Sequence, residues 1–206
     1  MNIILEGIDP SVLVRSHPYD SAKYDSRVKH YDFVKHPELI RKVLEDFKPW
    51  ERYESIESFY QLLEWTNGSE SIFESSDCRL ESPKKNPNKN MPYDLVLQGR
   101  VMIFFRDIKL NYADIDGKNY WVNSQLTSLA TDVTEYLKKL HPEIWWITIQ
   151  LFFFPAKYRQ EAGSPILGQQ IAFQFNCFGN EESELFEAFR IFTTSILKAF
   201  KQVGNQ

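Results

Sequence analysis

Apolar and polar residues alternate most clearly in three stretches, residues 94–107, 144–154 and 168–176. In the last of these, Ile171, Phe173 and Phe175 alternate with polar residues, which is typical of a strand with one buried face. We therefore predict three long strands. We also predict that the second and third are antiparallel, because the 14-residue connection between them is too short and too rich in Pro and Gly for a helical crossover.

A different spacing, with apolar residues three or four positions apart, predicts four amphipathic helices, at residues 37–47, 55–66, 124–140 and 181–203. Residues 1–36 are predicted to form an N-terminal arm or edge strand. Residues 67–93, rich in Pro, Asn and Lys, are predicted to form a long exposed loop. Together these elements predict a single α+β domain over residues 1–206, a two-layer sandwich with a mainly antiparallel sheet and amphipathic helices on one face.

Composition supports a packed domain, since 43% of the 206 residues are hydrophobic and 15% are aromatic. The N-terminus lacks the basic segment of a secretory signal, and no apolar run is long enough for a membrane span. The two cysteines, Cys78 and Cys177, show no paired spacing. We therefore expect a protein of the reducing cytoplasm with no membrane partner.

Acidic residues are concentrated in one part of the chain, whose formal net charge is −4. Residues 38–81 contain eleven acidic and five basic side chains, a balance of −6, whereas the remainder has 19 basic and 17 acidic ones. Such a section disfavours a nucleic-acid partner and would attract a basic protein if it occupies one face. Within it, Glu70, Glu74 and Asp77 are candidate residues for steering a partner.

The second face of the predicted sheet carries amides, one arginine and large rings instead of the usual Lys, Glu and Thr. This composition resembles that of protein–protein contact surfaces. Its candidate binding residues are Arg100, Trp146, Gln150 and Gln174. Three alternatives remain open for this face: cover by the N-terminal arm or the first two helices, a homodimer contact, or a foreign protein partner.

Catalytic and metal-binding motifs are absent from the sequence, so we expect no metal and no cofactor. Cys78 lies among carboxylates, which would raise its pKa and disfavour a nucleophilic role. An enzyme stays open as an alternative if residues distant in sequence converge on a small-molecule pocket. The candidates for such a site are Arg100, Arg106, Asp107, Glu74 and Asp77.

The segment FESSDCRLE followed by GRVMIFFRD, in a small acidic α+β protein without a catalytic motif, resembles the immunity proteins of bacterial contact-dependent and other polymorphic toxins. The resemblance is one of type and assigns no residue roles. It implies a non-catalytic protein that neutralises a cognate toxin, for example a basic nuclease, by occluding it. A small-molecule enzyme and a structural homodimer are the alternatives.

Overall fold

The structure of the chain, a computed structural model, describes residues 1–7, 15–17, 31–112, 114–115, 121–159 and 163–204. The strands in this part of the chain are β1 (Asn2–Gly7), β2 (Arg15–His17), β3 (Phe73–Leu80), β4 (Lys84–Lys85), β5 (Leu95–Phe105), β6 (Asp114–Ile115), β7 (Trp121–Val122), β8 (Ile147–Tyr158) and β9 (Ile166–Gly179). The α-helices are α1 (Ile40–Val43), α2 (Glu54–Asn67), α3 (Ser124–Leu140) and α4 (Glu182–Gly204).

One mixed sheet organises these elements, with the strand order β1-β8-β9-β5-β3. The long central strands are antiparallel, and the register of β8 and β9 runs from Ile147 opposite Cys177 to Tyr158 opposite Ile166. This confirms the predicted antiparallel pair. β1 and β2 lie parallel to β8 on its outer side, and β4 pairs with the beginning of β5.

The helices pack against one face of the sheet, and a single large hydrophobic cluster joins the two layers. From the sheet this cluster takes alternate residues such as Val101, Ile149 and Phe173, and from the last helix it takes Phe189 and Phe192. The predicted α+β class, with a mainly antiparallel sheet and amphipathic helices on one side, is confirmed. Among the described helices, none combines the length and apolar character needed to cross a membrane.

The segment 67–93 differs from the expected loop, because β3 and β4 lie within it. A register shift between Ser75 and Asp77 interrupts the alternation of β3. Phe73 and Leu80 are therefore both buried although an odd number of positions separates them, and the period-2 pattern is lost from the sequence. Pairing with β5 supplies the backbone hydrogen bonds that the local sequence does not predict.

The helix predicted at 37–47 is also shorter than expected. A 3-10 turn at Pro37–Leu39 leads into α1, which ends after Val43, where Leu44 leaves the helical region with a ψ of 73°. The chain then turns so that Phe47 stacks on Phe59 of α2, with ring centroids 4.8 Å apart. Burial of Phe47 thus accompanies an irregular turn where apolar spacing alone predicted a continuing helix.

Candidate functional site

The candidate site lies on the face of the sheet that points away from the helices, which we call the open face. Strand register aligns its side chains in rows that cross the sheet. One row consists of Arg79, Arg100, Gln174 and Gln150, contributed by β3, β5, β9 and β8, and we call it the donor row. The register therefore unites three of the predicted binding residues, Arg100, Gln150 and Gln174, and adds Arg79.

One end of the open face is covered by the chain itself. Phe104, Ala156 and Tyr158 are almost fully buried there, and Ile108 and Tyr112 pack against them as a second, smaller cluster. α1 and α2 contribute to the main cluster on the other side of the sheet, so they do not provide this cover. The N-terminal arm was the other predicted cover, and residues 8–14 and 18–30 lie outside the described part of the chain.

Two buried asparagines hold in place the segment that contains Ile108 and Tyr112. Asn111 accepts a hydrogen bond from the Phe105 backbone N–H (2.8 Å) and donates to the Phe105 carbonyl (2.7 Å). Asn123 donates to the carbonyls of Leu110 and Tyr112 and accepts from the backbone N–H of Leu126 (2.7 Å), capping α3. These hydrogen bonds tie the end of β5 to the beginning of α3 across one end of the open face.

At the opposite, accessible end of the open face, the amides of neighbouring strands satisfy one another. Gln98 donates to the side-chain oxygen of Asn176, whose nitrogen donates to the Thr148 hydroxyl at 3.0 Å. This chain of three side chains, which we call the amide ladder, spans β5, β9 and β8. Its members are half-buried and already hydrogen-bonded, so the ladder stabilises the sheet and offers few free groups to a partner.

The donor row, next to the amide ladder, keeps unused hydrogen-bonding capacity. Within the described part of the chain, the side-chain amides of Gln150 and Gln174 have no hydrogen-bond partner, and both residues are half-buried. Arg100 is held by Asp77, with Nε and Nη2 3.1 and 2.8 Å from the same carboxylate oxygen. A half-buried amide without a partner gains free energy when a binding partner supplies one.

Aromatic rings border the amide ladder on the side away from the donor row. Tyr93 packs against Trp145 and Phe178, with ring centroids 5.2 and 6.4 Å apart, and Trp145 is 51% exposed. The predicted open-face ring, Trp146, is instead half-buried and packs against the main core cluster. Its backbone carbonyl still accepts a hydrogen bond from the Phe178 N–H (2.9 Å), and its role in partner binding stays a prediction.

The acidic section does not form one surface. Glu57 and Glu64 lie on the exposed side of α2 in the helix layer, where Arg41 binds both at 2.6–2.7 Å. Glu74 and Asp77 lie on the open face, paired in register with Phe104 and Met102, and Glu70 is exposed in the turn between α2 and β3. The three predicted steering residues are thus apart from most of the acidic charge.

Glu74 has an unusual environment for a carboxylate. Burial is the main cause that raises its pKa to about 6, the charge of Asp32 adds to this effect, and Arg106 and Lys35 oppose it. At neutral pH this carboxylate carries its charge at a cost in stability. It is therefore a group whose titration should be visible in the pH dependence of folding.

Among the residues proposed for an enzyme site, Arg106 lies close enough to Glu74 for its charge to act on the pKa of that carboxylate, and the others make separate contacts. Arg106 donates to the backbone carbonyl of Phe73 at 3.0 Å, and Asp107 is exposed and accepts from the Lys109 N–H at 3.1 Å. Asp77, by contrast, binds Arg100. In the described ranges, no three His, Cys, Asp or Glu side chains are grouped as metal ligands. These contacts give Arg106 and Asp107 structural roles at the end of β5.

The two thiols are poorly suited to nucleophilic chemistry. Burial raises the pKa of both Cys78 and Cys177, and for Cys78 the nearby Asp77 and Asp46 raise it further. The carboxylate effect predicted for Cys78 is confirmed, although burial is the larger cause. Because the thiolate is the reactive form, a raised pKa lowers reactivity at neutral pH.

Comparison with known proteins identifies no relative: no family model, curated protein or solved structure matches the chain. The geometry of the open face is therefore the basis on which we infer a function. Sequence patterns located Arg100, Gln150 and Gln174 on this face but missed Arg79, Tyr93 and Trp145. Arg79 could be placed only through the pairing of β3 with β5, and the two rings only through contacts between segments distant in sequence.

Proposed function

We propose that the protein functions as a non-catalytic binder of another protein through the accessible end of the open face. The observation that carries the proposal is the cluster of Trp145, Tyr93 and Phe178 near the donor-row amides, which have no hydrogen-bond partner among the residues that the structure describes. Exposed aromatic rings next to polar groups that lack partners are typical of protein interfaces, where rings anchor the complex and amides give specificity.

The partner class that we propose is a toxin domain that the protein neutralises in the bacterial cytoplasm. This choice follows from the resemblance in type to immunity proteins of polymorphic toxins. The net charge of −4 would accelerate encounter with a basic toxin, since long-range attraction mainly raises the association rate. Occlusion by a broad surface requires no catalytic group and suits the open face.

The test uses the product of the neighbouring gene, with the expectation that it ends in a toxin-like domain. We expect the purified protein to bind that domain and to protect cells that express it. Trp145→Ala should weaken the complex by about 30-fold if the ring is an interface hot spot worth about 2 kcal/mol. Binding is measured by calorimetry or biolayer interferometry, and folding of each variant by circular dichroism.

A matched control is Ile72→Ala. Ile72 is 41% exposed, similar to Trp145, but it lies beside Gly204 at the end of α4. This variant should bind with unchanged affinity. Absence of both complex and protection would overturn the proposal. A dimer in sedimentation experiments that Trp145→Ala dissociates would replace it with the homodimer alternative.

A further inference from the structure

Two arginines stand directly opposite each other on the open face. Arg79 of β3 and Arg100 of β5 are register partners, and adjacent strands bring such side chains within about 5 Å at Cβ. Like charges in this position destabilise a sheet. Because this pairing destabilises the sheet, we expect a compensating interaction, either within the chain or with a ligand.

The compensation within the chain is unequal for the two residues. Arg100 is 34% exposed and makes two charge-assisted hydrogen bonds to Asp77. Arg79 is 55% exposed, and its ion pair in the described part of the chain is with Glu81, at 3.9 Å. That distance is too long for a hydrogen bond, and Glu81 is closer to Lys84, at 2.7 Å. Arg79 therefore retains most of its capacity to bind an anion.

The next residue of the row adds a donor of a different kind. Gln174 is the register partner of Arg100, and its amide has no hydrogen-bond partner among the described residues. Arg79, Arg100 and Gln174 thus lie in one row on β3, β5 and β9, whose neighbouring strands are about 5 Å apart. A planar acceptor with two oxygens can use the guanidinium fork and the amide together.

We propose that Arg79, Arg100 and Gln174 form a binding site for a carboxylate side chain of the protein partner. This inference rests on the proposed function, because it names the chemistry by which the open face recognises that partner. An Asp or Glu of the partner would bind the Arg79 guanidinium with one oxygen and a remaining N–H of its neighbour Arg100 with the other, and Gln174 would add a donor from the next strand. A basic partner can carry such a residue, because the net charge of the partner steers the encounter, whereas its individual charged residues determine how the two surfaces align.

A singly charged acceptor fits this site better than a phosphate chain. Asp77 and Glu81 border the two arginines, and their charges would oppose a dianion or a polyanion. The neighbouring carboxylate Glu81 already responds to the local field: its pKa is lowered, chiefly by the hydrogen bond from Lys84, with further contributions from Arg79 and Arg100. The surroundings therefore favour one ionised carboxylate without providing the excess of positive charge that nucleic acids require.

The first experiment needs no partner protein. The side-chain Nε–H signals of the arginines are followed by NMR during titration with N-acetyl-aspartate amide, and separately with its asparagine analogue. We expect saturable shifts of the Arg79 and Arg100 signals with the aspartate compound, in the millimolar range of a single charged contact, and none with the asparagine compound. Arg79→Gln should weaken this binding by about tenfold or more.

Arg190→Gln is the matched control. Arg190 is 37% exposed and also paired with a carboxylate, Glu187, but it lies on α4 in the helix layer. Its replacement should leave the titration unchanged. Equal shifts with both compounds, or no shift of Arg79, would overturn the carboxylate site. Tighter binding of an oligothymidine of about ten nucleotides, with quenching of Trp145 fluorescence, would overturn it in favour of a nucleic-acid surface.

The second experiment uses the toxin domain and separates failure of this site from failure of the proposed function. If the complex forms, Arg79→Gln should raise Kd by about tenfold and reduce its salt dependence, whereas Arg190→Gln should not. A complex that is insensitive to Arg79→Gln overturns the site and leaves the binding function standing. Absence of any complex overturns the proposed function, and the titration with the small carboxylate then decides the site alone.

Discussion

Phe175 lies directly over Gly99 of the adjacent strand, so that a Cβ at position 99 would lie 2.4 Å from its Cζ atom and 2.5 Å from the Arg79 carbonyl oxygen. The backbone of β3 thus approaches this glycine closely. Phe175 is fully buried and stacks on Phe189 of α4, with ring centroids 5.0 Å apart. The absence of a side chain at position 99 thus allows the sheet and the helix layer to pack together.

We expect Gly99→Ala to lower the free energy of unfolding by about 2 kcal/mol, because the added methyl group must displace a packed ring or a strand backbone. Urea denaturation measures this change. Gly204→Ala is the control, since the nearest atom to a Cβ there is 3.7 Å away, an ordinary contact. An equal effect of the two substitutions would contradict the packing argument.

Asn67 is expected to stabilise the register shift in β3. Its amide donates to the Leu63 carbonyl (2.8 Å) and the Ser75 hydroxyl (2.9 Å), and its oxygen accepts from the Ser75 backbone N–H (3.1 Å). Asn67→Ala leaves these buried groups without a partner and should lower the free energy of unfolding by about 2–3 kcal/mol. Denaturation curves provide the measurement.

The control for Asn67 is Gln61→Ala on the exposed side of the same helix, where the side chain makes a 3.3 Å hydrogen bond to Glu57. That substitution should change stability by less than about 0.5 kcal/mol. The register shift brings Asp77 onto the open face beside Arg100. If Asn67→Ala were equally mild, the hydrogen bonds to Ser75 would not be the cause that stabilises this shift.

Glu74 should make folding less favourable as pH rises. Its pKa is about 6 in the folded protein and 4.5 ordinarily, so between these values the folded protein keeps a proton that the unfolded chain loses. The free energy of unfolding therefore falls as pH rises from about 4.5 through 6. Glu74→Gln removes this pH-dependent fall in the free energy of unfolding. It should stabilise the protein at pH 8 by up to about 1 kcal/mol, after allowance for solvent screening.

The same substitution should have little effect at pH 4, where Glu74 is mostly protonated in both states. Thermal unfolding at several pH values provides the comparison. Glu70→Gln, in an exposed turn, serves as the control and should show no such pH dependence. A stabilisation by Glu74→Gln that is independent of pH would rule out titration of this carboxylate as the cause.

The adjacent tryptophans should differ in what they contribute. Trp146 packs against the main core, so Trp146→Ala should lower the free energy of unfolding by about 2–3 kcal/mol. Trp145 is 51% exposed, and Trp145→Ala should cost less than about 1 kcal/mol. Equilibrium unfolding in urea distinguishes the two residues. The opposite order would mean that Trp146, as the strand pattern predicted, lies on the open face.

Local periodicity by itself determined most of the regular structure. The strands around Val101, Ile149 and Phe173 and the two long helices α3 and α4 follow from apolar spacing at periods of 2 and 3.6, because each element buries one face against the same core. The antiparallel pairing of β8 and β9 also followed, since a short connection permits few alternatives. The amide character of the open face was visible for the same reason.

Only the tertiary structure decided where the open face is accessible and which of its groups are free. Gln98 and Gln174 occupy equivalent positions in the sequence pattern, yet Gln98 bonds to Asn176 and Gln174 has no partner among the described residues. Likewise, Arg79 faces Arg100 only because a register shift alters the side-chain alternation of β3. Register and cover arise from contacts between segments far apart in the chain, so residue spacing within a segment cannot specify them.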